Sequence, residues 1–190
     1  MITKAKSTLD GGGTVVYPTE TVYGIGASVF IEEAVEKVFQ IKRRPFSMPL
    51  SVAISSFSML ERVAQADEDD MSLLKALLPG PVTFLMDKNP DLPEIVTSGS
   101  RLVGIRFPDH ALALELIEKS GPITSTSANI TGLPPPSSLE ELDPMVAKEV
   151  DFVLDGGKAR FAKPSTLVNL KTRKVIREGA RIDLVRELIE

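Results

Sequence analysis

Two periodicities that cannot share one element alternate along this chain, and that alternation limits its possible folds more than any other feature. Short runs rich in β-branched residues read as strands: Thr14–Tyr17, Leu50–Ile54, Val82–Met86, Leu102–Phe107, Ile123–Ser125, Phe152–Leu154, Thr166–Leu170 and Val175–Arg177. Helical patterns lie between several of them. Glu32–Ile41 gathers Ala34, Val35, Val38 and Phe39 on one face, with charges opposite. Asp67–Leu78 opens with acids that suit the positive end of a helix, and keeps Met71, Leu74, Leu77 and Leu78 at helical spacing. Ala111–Ser120 stops at Gly121–Pro122, and a last helix covers Asp183–Ile189. Strands alternating with helices predict a layered α/β sheet covered by helices. The final two strands, joined by the polar turn Lys171–Lys174, predict a hairpin and hence a mixed sheet. No stretch resembles an interdomain linker, so the 190 residues are expected to form one domain.

Composition narrows the chemistry. A net charge of −4 argues against nucleic acid or an anionic membrane surface as the main partner, so any anion site must be a local cluster of cations. Cysteine is absent, which removes disulfides, zinc–thiolate sites and thiol nucleophiles and suits a reducing compartment. The start, MITKAKSTLDGGG, lacks an apolar core of secretory length, and no long apolar run could span a bilayer. A cytoplasmic protein without membrane contact is the expectation.

Several short motifs could carry chemistry, and each has a plainer reading. Gly11–Gly13 precedes a strand and lacks the Gly-Lys-Ser/Thr of a phosphate loop, so it reads as a helix C-cap and turn. Pro18-Thr19-Glu20-Thr21-Val22-Tyr23-Gly24-Ile25-Gly26 follows a strand directly, where open α/β sheets place ligands; an ordinary polar turn is the alternative. Lys42-Arg43-Arg44-Pro45 follows a helix, where cations also suit the negative end of the dipole. Arg106 interrupts an apolar strand, and such an arginine requires an anionic partner, either a ligand or an internal carboxylate. Thr124-Ser125-Thr126-Ser127-Ala128-Asn129 ends another strand with more hydrogen-bonding side chains than a helix cap uses. Lys158, Arg160 and Lys163 sit in the Gly156–Pro164 loop, which is either solvated or able to close over phosphates. The one histidine, His110, reads as a capping or surface residue. No Ser-His or Cys-His pair and no carboxylate cluster of metal-ligand spacing stands out.

Taken in order, PTETVYGIG, K-x-R-P, VGIRFPDH, STSAN with TGLPPP, PSTLV and the arginine before Glu178-Gly179 are together specific. From about Leu9 to Ile182 the chain resembles the YrdC-like family of L-threonylcarbamoyl-adenylate synthases, in its short single-domain form. That resemblance implies an α/β (α+β) fold of the YrdC/RibB-like kind, three-layered, with a mixed, twisted sheet of roughly seven strands and an open cleft. It implies a nucleotidyltransferase that joins L-threonine, bicarbonate and ATP, with Mg2+ accompanying the nucleotide, into threonylcarbamoyl-AMP and pyrophosphate. A separate transferase complex would then pass the group to tRNA. The catalytic tetrad falls on Lys42, Arg44, Ser127 and Asn129. Threonine is assigned to Thr21, Arg106, Ser127 and Ser165, and ATP to Lys42, Arg44, Ser125, Arg177 and the backbone of Leu102. Lys42 and Arg44 are expected to neutralise phosphates, and Arg106 to grip the amino-acid carboxylate with its planar fork. Met48, Ala53 and Pro135 depart from the commoner family pattern. The Gly156–Pro164 loop is the candidate lid, expected to be mobile when the cleft is empty. Two other readings compete: a module binding tRNA or double-stranded RNA directly, disfavoured by the acidic total and scarce aromatics, and a carbamoyltransferase, whose zinc fingers are missing.

Overall fold

The structure, a computed structural model, describes residues 1–189. Its helices are α1 (Ile2–Asp10), α2 (Glu32–Lys42), α3 (Phe57–Leu60), α4 (Glu68–Leu77), α5 (Glu94–Thr97), α6 (Ala111–Ser120), α7 (Pro144–Glu149) and α8 (Ile182–Ile189). Its strands are β1 (Val15–Tyr17), β2 (Gly24–Gly26), β3 (Ser51–Ala53), β4 (Val82–Asp87), β5 (Leu102–Arg106), β6 (Ile123–Ser127), β7 (Phe152–Val153), β8 (Thr166–Asn169) and β9 (Lys174–Arg177). They join into one sheet in the order β7-β1-β2-β6-β3-β5-β4-β8-β9. The sheet is mixed, as expected: β3 runs parallel to β5 and β4 to β8, while β4 runs antiparallel to β5. The hairpin is present too, with β8 antiparallel to β9.

Nine strands stand where roughly seven were expected. The strand with no counterpart in the periodicity is β2, Gly-Ile-Gly, because glycines score as turn. Here they serve packing: a Cβ on Gly26 would come within 2.8 Å of Ile123 and 3.1 Å of the Tyr17 ring, so the aromatic lies flat on bare backbone. At the other end, α6 stops where expected, with Gly121 at φ 84°.

The pleat sorts side chains onto two faces. Val16 and Val52 join the larger core, with α2, α4 and α5 against it. Their neighbours Val15, Tyr17 and Ala53 join a second core under α1 and α6. The sheet is thus sandwiched between helical layers. The α1–α6 layer stops short, however, and leaves the faces of β3, β4, β5 and β6 beyond Ala53 and Ile123 uncovered. On β4 the pattern is strict: Val82, Phe84 and Met86 enter the larger core, while Thr83 and Leu85 face the uncovered side. That bare stretch of sheet is the floor of a cleft.

Candidate active site

The cleft has a volume of about 450 Å³. Its floor alternates with the core, so β5 contributes Leu102, Gly104 and Arg106 to it while Val103 and Ile105 are buried behind. Gly104 must lack a side chain, because a Cβ there would lie 2.5 Å from Ser51 Oγ and 3.2 Å from Thr83. β6 ends with Ser125 and Ser127 on the same surface, and Ser165 and Arg177 wall the far side. Thr21 and Arg44 line the cleft as well, so most of the expected site residues converge from six separate segments. Ser51 and Thr83 are lining residues that the motifs did not single out, and Thr19 and Tyr23 line it from the PTETVYGIG motif without having been assigned a role. Thr83 carried a faint signal, a hydroxyl inside the apolar run Val82–Met86.

Lys42 and Asn129 are placed differently from the expectation. Neither lines the cleft. Lys42 is 1% exposed, and its Nζ donates to the carbonyl oxygens of Ser127 and of Asn129, the latter at 2.8 Å. Asn129 Nδ2 in turn donates to the carbonyls of Ile130 (2.9 Å) and Leu133 (2.6 Å), and Ser127 Oγ to Asn129 Oδ1. The pair therefore moulds the turn after β6 from behind, holding Ser127 at the cleft. Burial, and then the neighbouring Arg44, push the Lys42 ammonium down to about 7. Between them Arg43 adopts φ 49°, a left-handed conformation that costs a non-glycine residue on the order of 1 kcal/mol. That reversal sends Lys42 inward and Arg44 to the cleft, where Arg44 donates to the carbonyls of Met48 (3.0 Å) and Pro49 (2.9 Å). Met48 thus contributes through its backbone, Pro135 lines the cleft, and Ala53 is buried under α6.

Arg106 has an internal carboxylate partner. Its Nη2 donates to Glu20 Oε1 at 2.9 Å and to Thr21 Oγ1 at 3.4 Å, and its Nη1 to the carbonyls of Gly80 and, at 2.9 Å, Val82. The guanidinium is therefore held by the protein on both terminal nitrogens, and the free planar fork anticipated from sequence is not what the cleft receives. Across from it, Arg177 Nη2 donates to Ser165 O (3.0 Å) and Oγ (3.3 Å), and Ser165 Oγ lies 2.7 Å from Thr83 Oγ1. Burial, then the nearby Arg106, disfavours the charged form of Arg177. Arg44, Arg106 and Arg177 line the cleft, and no carboxylate does, among the described residues. A hollow with that imbalance attracts anions.

The candidate lid is docked. Tyr23 Oη donates to Gly157 O at 2.7 Å and accepts from Gly156 N–H, Ala159 N–H donates to Ser137 O, and Phe161 N–H to Glu20 O. Arg160 pairs with Asp109 at 2.8 Å, and of the whole segment just Pro164 reaches the cleft wall. Lys158 and Lys163 do not line the cleft. His110 stands at the N-cap of α6 without making a side-chain cap.

Residues 7–179 match the Sua5–YciO–YrdC family, described as "Telomere recombination". The chain belongs to that family. Among its relatives, the putative threonylcarbamoyl-AMP synthase of Methanocaldococcus jannaschii is 39% identical over 176 residues, 92% of this chain and 83% of that protein. The Bacillus subtilis threonylcarbamoyl-AMP synthase is also 39% identical, over 88% of this chain but 49% of its own length. In structure, Pyrococcus abyssi Sua5 complexed with L-threonine superposes with a TM-score of 0.90 at 36% identity, covering 99% of this chain and 57% of Sua5. The chain thus spans about half the length of some relatives and most of another. The Sua5–YciO–YrdC fold accounts for the mixed sheet and the cleft on its uncovered face. No helix among the described residues is long and apolar enough to cross a membrane.

Proposed function

We propose that this chain is an L-threonylcarbamoyl-adenylate synthase, supplying the activated group for threonylcarbamoyladenosine in tRNA. One observation carries the reading: the cleft of this family member presents three guanidinium groups and a bank of hydroxyls, and among the described residues just Arg106 is answered by a carboxylate, Glu20 behind it. Every reactant in the scheme is anionic or becomes so. The threonine amine adds to bicarbonate, losing water, to give a carbamate. The carbamate oxygen attacks the α-phosphorus of ATP, and pyrophosphate leaves. Such a displacement needs alignment and charge stabilisation more than a protein nucleophile. Arg106, Thr21, Ser127 and Ser165 form the threonine end, while Arg44, Ser125, Arg177 and the Leu102 backbone form the nucleotide end. Lys42 and Asn129 shape the turn between them. The cleft offers Mg2+ no carboxylate, and no group of His, Cys, Asp and Glu suited to a metal lies among the described residues, so no step is assigned to a protein-held ion. The ion would travel on the phosphates. The product passes to a tRNA-modifying transferase, which places the work in the cytoplasm.

The test is pyrophosphate release. It is expected to require ATP, magnesium, L-threonine and bicarbonate together, and equal release without threonine sinks the reading.

A further inference from the structure

Glu20 belongs to the motif between β1 and β2, yet it does not line the cleft. Its carboxylate lies behind Arg106, with the two side chains 1% and 5% exposed. Oε1 accepts from Arg106 Nη2, and no protein group among the described residues donates to the buried Oε2. A buried ion pair barely repays its desolvation, so stability alone does not explain this one. The pair's value lies in where it holds the arginine, with Nη2 between Glu20 Oε1 and Thr21 Oγ1. The backbone fixes Glu20 in turn, because its carbonyl accepts from Phe161 N–H at 2.9 Å.

The other Arg106 contacts show what that hold accomplishes. Nη1 is pinned by two carbonyls, of Gly80 just before β4 and of Val82 at its start, beside β5. Glu20 then stops rotation from the opposite side. The loosest bond, 3.4 Å to Thr21 Oγ1, is the one left for exchange with a ligand at the cleft surface. Without the carboxylate, Arg106 would also face Arg177 across the cleft with no counter-charge behind it.

We propose that Glu20 is a positioning residue for the reaction, clamping the Arg106 guanidinium so that its Nη2 edge, beside Thr21, meets the amino-acid carboxylate. This rests on the functional reading above and adds to it the part that orients its threonine end. The informative variant is Glu20→Gln, which keeps the volume and one acceptor and removes the charge. Its KM for threonine is expected to rise at least tenfold, with KM for ATP within twofold, while the melting temperature falls because Arg106 loses its buried counter-charge. Glu20→Asp, which keeps the charge but shortens the reach, should recover part of the loss and decides the matter alone if Glu20→Gln does not fold. Unchanged threonine kinetics, or equal loss toward threonine and ATP, overturns the proposal. The clamp also has a readout that needs no ligand. The Arg106 Nη2 protons should give a slowly exchanging NMR signal in wild type that is lost in Glu20→Gln, and its persistence in the variant counts against the clamp. A wild-type protein without threonine-dependent turnover would instead sink the functional reading, leaving the NMR experiment to judge Glu20.

Discussion

Two hollows meet along the sheet, sharing Leu85 and Leu102 as a common wall, and they differ in what their charges do. The larger, about 710 Å³ against about 450 Å³, mixes Asp67, Asp69, Asp70 and Asp87 with Arg101, Lys171 and Arg173. Its charges answer one another: Arg101 meets Asp87 at 2.9 Å and Arg173 meets Asp70 at 3.6 Å. The smaller holds three arginines, of which Glu20 answers Arg106 from behind while no acid among the described residues answers Arg44 or Arg177. Volume does not make an anion site. Cationic groups left without an acid do, because a ligand supplies the missing partner.

The largest break in that contrast should come from Arg106→Ala. Removing it takes away a ligand-facing cation and strands the buried Glu20 carboxylate. Calorimetry should show threonine binding weakened by about 2–5 kcal/mol, with ATP binding changed a few fold. Thermal melts should fall as well, since an uncompensated buried charge costs about 3–5 kcal/mol. Arg106→Lys should rescue little, because an ammonium cannot reach the carbonyls of Gly80 and Val82, Glu20 and Thr21 together.

Arg44→Ala and Arg177→Ala should reverse the pattern. Each deletes a charged donor from the nucleotide end, for a loss of about 1.5–3 kcal/mol in ATP affinity with threonine affinity kept. Titrations in which both ligands suffer equally would merge the two ends into one pocket. Gly104→Ala tests the floor itself: its methyl would press on Ser51 Oγ, 2.5 Å away, costing about 1–3 kcal/mol of stability and lowering kcat/KM for both substrates.

A pH-dependent effect concerns the turn behind the cleft. Folding lowers the Lys42 pKa from 10.5 to about 7, so between those values the unfolded chain binds more protons than the folded one. Stability should then climb with pH across that window, by at most about 1.4 kcal/mol per pH unit from this group. Urea melts at several pH values should show a slope that Lys42→Met flattens. The smallest effect belongs to the paired hollow: Arg101→Ala should change stability by less than about 1 kcal/mol and leave both KM values unaltered. A kinetic defect there would mean that charge compensation does not separate the two hollows.

How much of this could be read in advance varies with distance along the chain. The strands β4, β5 and β6 and the helices α2, α4 and α6 were legible because side-chain periodicity is a property of a few consecutive residues. Arg106 was legible as an oddity for the same reason, a charge among apolar neighbours. The cleft residues were legible as motifs whose order matched a family. Strand β2 was not, because its glycines are explained by a ring and a side chain from β1 and β6.

What the sequence by itself determined, then, was the alternation that dictates a covered sheet, and the local chemistry at each strand end. The tertiary structure alone decided which charges are answered. Glu20 and Arg106 are 86 residues apart, and Lys42 and Asn129 are 87 apart, so no local pattern could couple them. Sheet order brings each pair together, placing Lys42 behind the cleft, Arg106 in a clamp at its edge, and Arg44 and Arg177 open to a ligand. Periodicity is written residue by residue. Compensation of charge exists only once distant strands have met and water has been removed.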